Sequence, residues 1–235
     1  IVVQQQADDA PFDTLDLGYA SVRWLMSAVP SFGAIGPKHV DPRTGEILDA
    51  DIGFESLSAR AQRSVRAQTL SGAAAFAAVL GGGDTSAPGA QAHAHCVYGD
   101  LAAEQLSYAL DVLEARGDIA PDSPEAEHFV RDYVKDTIMH EVGHALGLRH
   151  NFRASRVYSE QQLSDPEFTR VHGTTGSVME YNAINLPRPG QRGGQPFMTT
   201  LGPYDYWAIE YAYKEIAPAD EGAELLRIAA RSHEP

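Results

Sequence analysis

The sequence predicts an α+β domain on three observations. Two segments in the first quarter alternate like strands, a long apolar helical pattern ends in a histidine cluster, and a Gly/Pro-rich last third closes in one more amphipathic helix. The expected layout is an N-terminal lobe of twisted mixed sheet with backing helices, a long helix carrying the cluster, and a loop-rich C-terminal lobe. A length of 235 residues suits a single domain, 1–235, with the lobes dividing after about residue 147. Hydrophobic residues at 43% and charged ones at 21% suit a packed core and not disorder. The formal charge of −14 argues against nucleic acid or an anionic membrane surface as a partner, because phosphates would be repelled. Cys96 is the one cysteine, so no internal disulfide can form and cysteine usage leaves the compartment open. No apolar run is long enough to span a membrane, so no membrane insertion is expected. The start, Ile1-Val2-Val3-Gln4-Gln5-Gln6, lacks both an initiator Met and the basic-then-apolar layout of a signal peptide. The chain is therefore expected to be a processed or excised piece of something longer.

Along the chain, 19–25 alternates as a strand, and 41–45 (Asp-Pro-Arg-Thr-Gly) has the chemistry of a turn. A second strand is expected over 46–54. Leu57, Ala61, Val65, Leu70, Ala74 and Ala77 recur at near-helical spacing, which predicts one or two helices over 55–80, ended by the Gly-rich loop 81–89. Another helix is expected over 101–115, stopped at Gly117. Asp122-Ser123-Pro124-Glu125 reads as a helix start: a capping side chain, a proline in the first turn, and acids at the positive end of the dipole. Phe129, Val130, Tyr133, Val134, Ile138, Val142 and Ala145 continue that helix on a broad apolar stripe. A last helix is expected over about 203–214.

The run Met139-His140-Glu141-Val142-Gly143-His144-Ala145-Leu146-Gly147-Leu148-Arg149-His150 places three of the nine histidines within eleven positions. Residues four apart on a helix differ by about 40° around the axis and about 6 Å along it, so His140 and His144 point the same way. Both can then reach one ion at about 2.0–2.1 Å. Gly147 allows a left-handed residue that ends the helix, and His150 can return as a third ligand. Glu141 is left about 100° round, off the metal but within reach of a water upon it. Three nitrogens with an open fourth position describe a catalytic zinc site, not a structural one. A chance match at this chain's residue frequencies is on the order of one in ten thousand.

HEVGHALGLRH resembles the metzincin zinc-peptidase signature HExxHxxGxxH at every fixed position, and Ser177-Val178-Met179-Glu180-Tyr181 resembles the methionine turn that lies beneath the metal in that family. Further stretches, 41–47, 150–155 and 202–211, are similar to blocks in large exported bacterial metzincin-like proteins of mostly undefined function. The resemblance implies a metzincin-like fold, one catalytic Zn2+ held by His140, His144 and His150, Glu141 as general base, and Met179 as structural support. It implies an enzyme, a zinc metalloendopeptidase acting on peptide or protein substrates, and a periplasmic or extracellular location. Tyr181 matches the place where astacin-like and serralysin-like metzincins put a tyrosine that binds zinc at rest and swings to the oxyanion; packing within the turn is the other reading. The strand 46–54 is either the sheet edge to which an extended substrate adds or an ordinary interior strand. By the same resemblance Asn182, Ala183 and Ile184 border the pocket beyond the scissile bond.

Two alternatives to the peptidase stay open: a catalytically silent zinc-containing module that grips a peptide, and a hydrolase of a non-peptide amide. His93-Ala94-His95-Cys96 invites a second metal site, but two polar histidines beside a small core cysteine is the reading preferred. A zinc-blocking role for Cys96 is set aside, because such cysteines lie upstream of the catalytic domain. The acidic pairs Asp8-Asp9 and Asp49/Asp51 could hold a structural Ca2+, with solvated surface charge the simpler account.

Overall fold

The computed structural model describes residues 1–28, 32–57, 96–120, 123–191 and 193–233. Most of the expected helix 55–80, the loop 81–89, and His93 and His95 lie outside the described residues. The described residues form an α+β fold with a small mixed sheet of four strands. These are β1 (Ser21–Leu25), β2 (Ala34–Ile35), β3 (Lys38–Val40) and β4 (Ile47–Glu55). β1 runs parallel to β4, Ser21 opposite Asp51, while β2 and β3 pair antiparallel with its other side. β1 lies beside residues 51–55 and β2 beside 53–54, so that end of β4 is interior and the edge-strand reading of 46–54 fails there, whereas 47–50 pair with β3 alone among the described strands. Its C-terminal half is buried, and Glu55 closes this strand instead of opening a helix.

Two long helices back the sheet. α1 (Tyr98–Arg116) starts three residues earlier than expected and ends at Gly117, whose φ of 73° closes the last turn. α2 (Pro124–Ala145) begins as its sequence dictates, with the Ser123 side chain accepting from Ala126 N–H and Pro124 in the first turn. The core lies where the sheet, α1 and α2 meet: Ala34, Phe54, Tyr98, Leu106, Leu110 and Tyr133, joined by Phe197 from the C-terminal lobe. Phe54 stacks on Trp24 and meets Tyr133 edge-on, which binds the sheet to α2.

α2 departs from the apolar stripe read from its sequence. Val130 is exposed, and Asp132, Asp136, Thr137, His140 and Glu141 are buried instead. Asp136 is held by the Tyr98 hydroxyl, which donates to it at 2.5 Å.

After α2 come two short helices, α3 (Glu160–Leu163) and α4 (Pro166–His172), then α5 (Pro203–Tyr213) and α6 (Glu221–Ala229). α5 is thus not the last helix: α6 follows, and the Trp207 indole donates to the Ile228 carbonyl at 2.8 Å to join the two. The acidic linker chemistry before α6 hid its start, since Asp220 caps no backbone N–H with its side chain. No described helix is long and apolar enough to cross a membrane.

Candidate metal and catalytic site

The last turn of α2 fixes the first two histidines. Helix spacing puts His140 and His144 on one face, and the helix stops in a paired-bond turn: Leu148 N–H donates to Gly143 C=O and Gly147 N–H to His144 C=O, both at 2.9 Å. Gly147 has φ +90°, the left-handed conformation expected of it. The reversed chain brings His150 back, so that His144 Nε2 and His150 Nε2 stand 3.0 Å apart. Lys38 on β3 donates to the His144 carbonyl at 2.9 Å and lays a positive charge at the helix's negative end.

Each helix histidine is oriented through its other ring nitrogen. His140 Nδ1 lies 2.7 Å from Val178 C=O, and His144 Nδ1 lies 3.1 Å from Leu148 C=O. A protonated Nδ1 on a carbonyl leaves the Nε2 lone pair for a metal. His140 is fully buried and stacks on Tyr98. Burial, with neighbouring imidazoles adding to it, pushes its pKa down to about 3, so the ring is neutral and ready to ligate. His144 and His150 are lowered too, again chiefly by desolvation.

Glu141 is fully buried, and neither carboxylate oxygen has a hydrogen-bond partner among the described residues. Desolvation raises its pKa to about 7, while the nearby Cys96 thiol works the other way. A carboxylate left without donors beside three converging imidazoles is poised to exchange a proton. Gly36, between β2 and β3, passes over it: a Cβ there would lie 2.8 Å from the Glu141 carbonyl oxygen and 3.0 Å from Oε2.

Beneath the cluster sits the methionine turn. Met179 is fully buried and packs with Val178, Met198, Met139 and Leu148. Its sulfur fits only because residue 143 is glycine, where a Cβ would come within 2.2 Å of Sδ. The turn is pinned by Asp205 at the start of α5, which accepts from Ser177 Oγ at 2.6 Å, Val178 N–H at 2.9 Å and Gly202 N–H at 2.8 Å. Glu180 accepts from Ser155 N–H at 3.0 Å and ties the turn to the segment after His150. Sequence reasoning missed Gly143 and Asp205 as supports. A glycine between two ligands on a helix is a readable signal for the first, whereas the second shows only through a contact across 27 residues.

Tyr181 is brought to the cluster, its ring 4.6 Å from that of His150, with Val97 N–H donating to Oη at 3.1 Å. Of the proposed pocket residues, Asn182 donates to Thr174, Ile184 packs on the core, and Ala183 is exposed. Cys96 flanks the core, but its sulfur is not spent there: Sγ lies 3.3 Å from His140 Nε2, 3.5 Å from His150 Nε2 and 3.3 Å from Tyr181 Oη. Cys96 thus packs on the core as expected and also borders the cluster; 44 residues of sequence separate it from His140, and no spacing rule reaches that far.

Among the described residues, Cys96, His140, His144 and His150 are the one group of three or more potential ligands whose donor atoms could share an ion, all within 4.8 Å of one another. Their neutral nitrogens and sulfur suit zinc. The acidic pairs give no calcium cage: Asp49 pairs with His39, Asp51 accepts from Ser21, and Asp8 and Asp9 are exposed.

A family model described as Met-zincin matches residues 122–235. Neither the curated proteins nor the solved structures gave a match. The helix with its two histidines, the returning His150 and the turn at Met179 all fall within the matched stretch, and over it the chain is similar to the Met-zincins, which supports a metzincin-like assignment.

Proposed function

We propose that the chain is a zinc-dependent endopeptidase acting on peptide or protein substrates. The observation that carries this is the pairing of three converging imidazoles, each neutral, with a buried carboxylate that has no other partner among the described residues. His140, His144 and His150 hold the ion, and the carbonyls of Val178 and Leu148 keep the two helix rings in the ligating tautomer. Zinc bound there supplies Lewis acidity and brings the pKa of a water it touches toward about 7. Glu141 would take a proton from the attacking water and return it to the leaving amine, a role its raised pKa suits. Tyr181, whose phenol is held protonated above its ordinary pKa chiefly by desolvation, donates a hydrogen bond to the oxygen on which negative charge develops. The segment 34–40, at the border of the sheet and passing over Glu141, replaces β4 as the edge to which an extended substrate adds.

Replacing Glu141 with Gln keeps the three imidazoles and removes the base. Zinc content is expected to stay at the parent level while cleavage of a peptide library falls by roughly 10²–10⁴-fold. Parent-rate cleavage by the variant, or cleavage indifferent to chelator, would refute the assignment. A zinc-loaded module that only grips peptides is favoured by one observation, the Cys96 sulfur at ligand distance on the cluster.

A further inference from the structure

We propose that Cys96 is a fourth zinc ligand supplied by this same chain, converting the open three-histidine site into a closed His3Cys site in the resting protein. Four ligands around one zinc, at about 2.0–2.1 Å for nitrogen and about 2.3 Å for sulfur, stand about 3.3 Å apart for each N···N edge and about 3.6 Å for each S···N edge. The S···N separations to His140 and His150 are 3.3 and 3.5 Å, and the His144 to His150 edge is 3.0 Å. The remaining donor-to-donor separations stay within 4.8 Å, so Sγ stands on the side of the cluster left open by the three nitrogens, and a small contraction would close the tetrahedron. Its position is set by the fold on both sides. Two residues on, Tyr98 is anchored by the bond to buried Asp136 and stacked on His140. Gly99 is pressed against the β2 backbone, where a Cβ would lie 2.5 Å from Ala34 N. On the cluster side, Tyr181 Oη is 3.3 Å from Sγ. Glu141 gives a second sign, since its carboxylate is fully buried beside the Cys96 sulfur with no other hydrogen-bond partner among the described residues.

On ligation the thiol releases its proton to solvent, the sulfur lone pair forms the Zn–S bond, and nothing is oxidised. With four protein ligands the ion has no position for water, so the endopeptidase is latent until the sulfur leaves; this consequence rests on the peptidase reading above. Tyr181 moves from the thiol to the substrate in the same step.

Two measurements test ligation without reference to cleavage. Cobalt(II) in place of zinc is expected to show a thiolate-to-metal charge-transfer band in the near ultraviolet, present in the parent and lost in C96A and C96S. Because Cys96 is the chain's one cysteine, iodoacetamide labelling reports on it alone, and zinc is expected to slow labelling by at least about tenfold relative to the metal-free protein. No sulfur band in the parent, together with labelling that is blind to zinc, overturns the proposal, and the labelling arm needs no variant to fold. The peptidase reading fails separately. Zinc-loaded C96A is expected to cleave peptides faster than the parent, and if it binds zinc but cleaves nothing, the ligand assignment stands while the peptidase assignment falls.

Discussion

Gly143→Ala is a sharp test of the packing beneath the metal, because two effects of opposite sign meet at one residue. In a helix interior, alanine in place of glycine ordinarily stabilises by about 1 kcal/mol. Here the added Cβ would lie 2.2 Å from Met179 Sδ, 3.5 Å from Cε and 3.6 Å from Cγ, where carbon and its neighbour want about 3.5–4.0 Å. The sulfur cannot step aside into solvent: Met179 is fully buried among Val178, Met198, Met139 and Leu148. Overpacking of this kind costs about 1–3 kcal/mol, so the net runs from about zero to a loss of about 2 kcal/mol, or a melting temperature lower by up to roughly 8 °C for a domain this size. In a Met179→Ala background the obstruction is gone and the same substitution is expected to raise stability, leaving a coupling of about 1–3 kcal/mol between the two sites. Thermal melts of the four proteins, followed by circular dichroism, give all four corners of the cycle. A G143A protein that melts above the parent, or a glycine effect equal in both backgrounds, would refute the reasoning.

Asp205→Ala removes the acceptor of three hydrogen bonds that pin the methionine turn, and is expected to destabilise by about 2–4 kcal/mol and weaken zinc binding by about 10–100-fold, read by a competing chelator. Unchanged zinc affinity would show that the turn holds itself. Asp136 is raised to about 7, chiefly by desolvation against the Tyr98 hydroxyl's opposing bond, from an ordinary value of 3.8. A raised acid stabilises the fold least when ionised: its cost is absent below about pH 4, grows as pH rises, and is complete above about pH 7, where it reaches on the order of 4 kcal/mol. Asp136→Asn keeps an acceptor for Tyr98 and abolishes the titration, so urea denaturation should show the variant gaining on the parent between about pH 4.5 and pH 8. A difference between the two that stays flat across that range would exclude Asp136 as the source.

What could be read from the sequence was what is local. His140 and His144 share a face because four residues nearly complete a helical turn, and Ser123, Pro124 and Gly147 mark helix ends through chemistry contained within a turn. The strands 34–35 and 38–40 were missed because two- and three-residue strands carry too little alternation to register, and their existence depends on pairing with β4. The same non-local pairing decided that the C-terminal end of β4 is interior; nothing within 46–54 states how many neighbours it has. Cys96 and Asp205 reach the site across 44 and 27 residues, through the placement of α1 and α5, and only the folded chain brings them there.

The buried polar residues of α2 show why its sequence pattern misled. A helix that served only the core would present apolar residues wherever α1 and the C-terminal lobe cover it. This one instead buries Asp136, His140 and Glu141 on the side facing the cluster, at a desolvation cost visible in all three groups. For Asp136 the partner is the Tyr98 hydroxyl, and that bond holds the start of α1, hence Cys96, against the histidines. For His140 it is the Val178 carbonyl, which couples the ligand to the methionine turn. Glu141, of these three, has neither oxygen held by a backbone or hydroxyl partner among the described residues, and it is the group assigned the proton transfer. Two of the three polar residues thus position the site, and the third is left free to act in it.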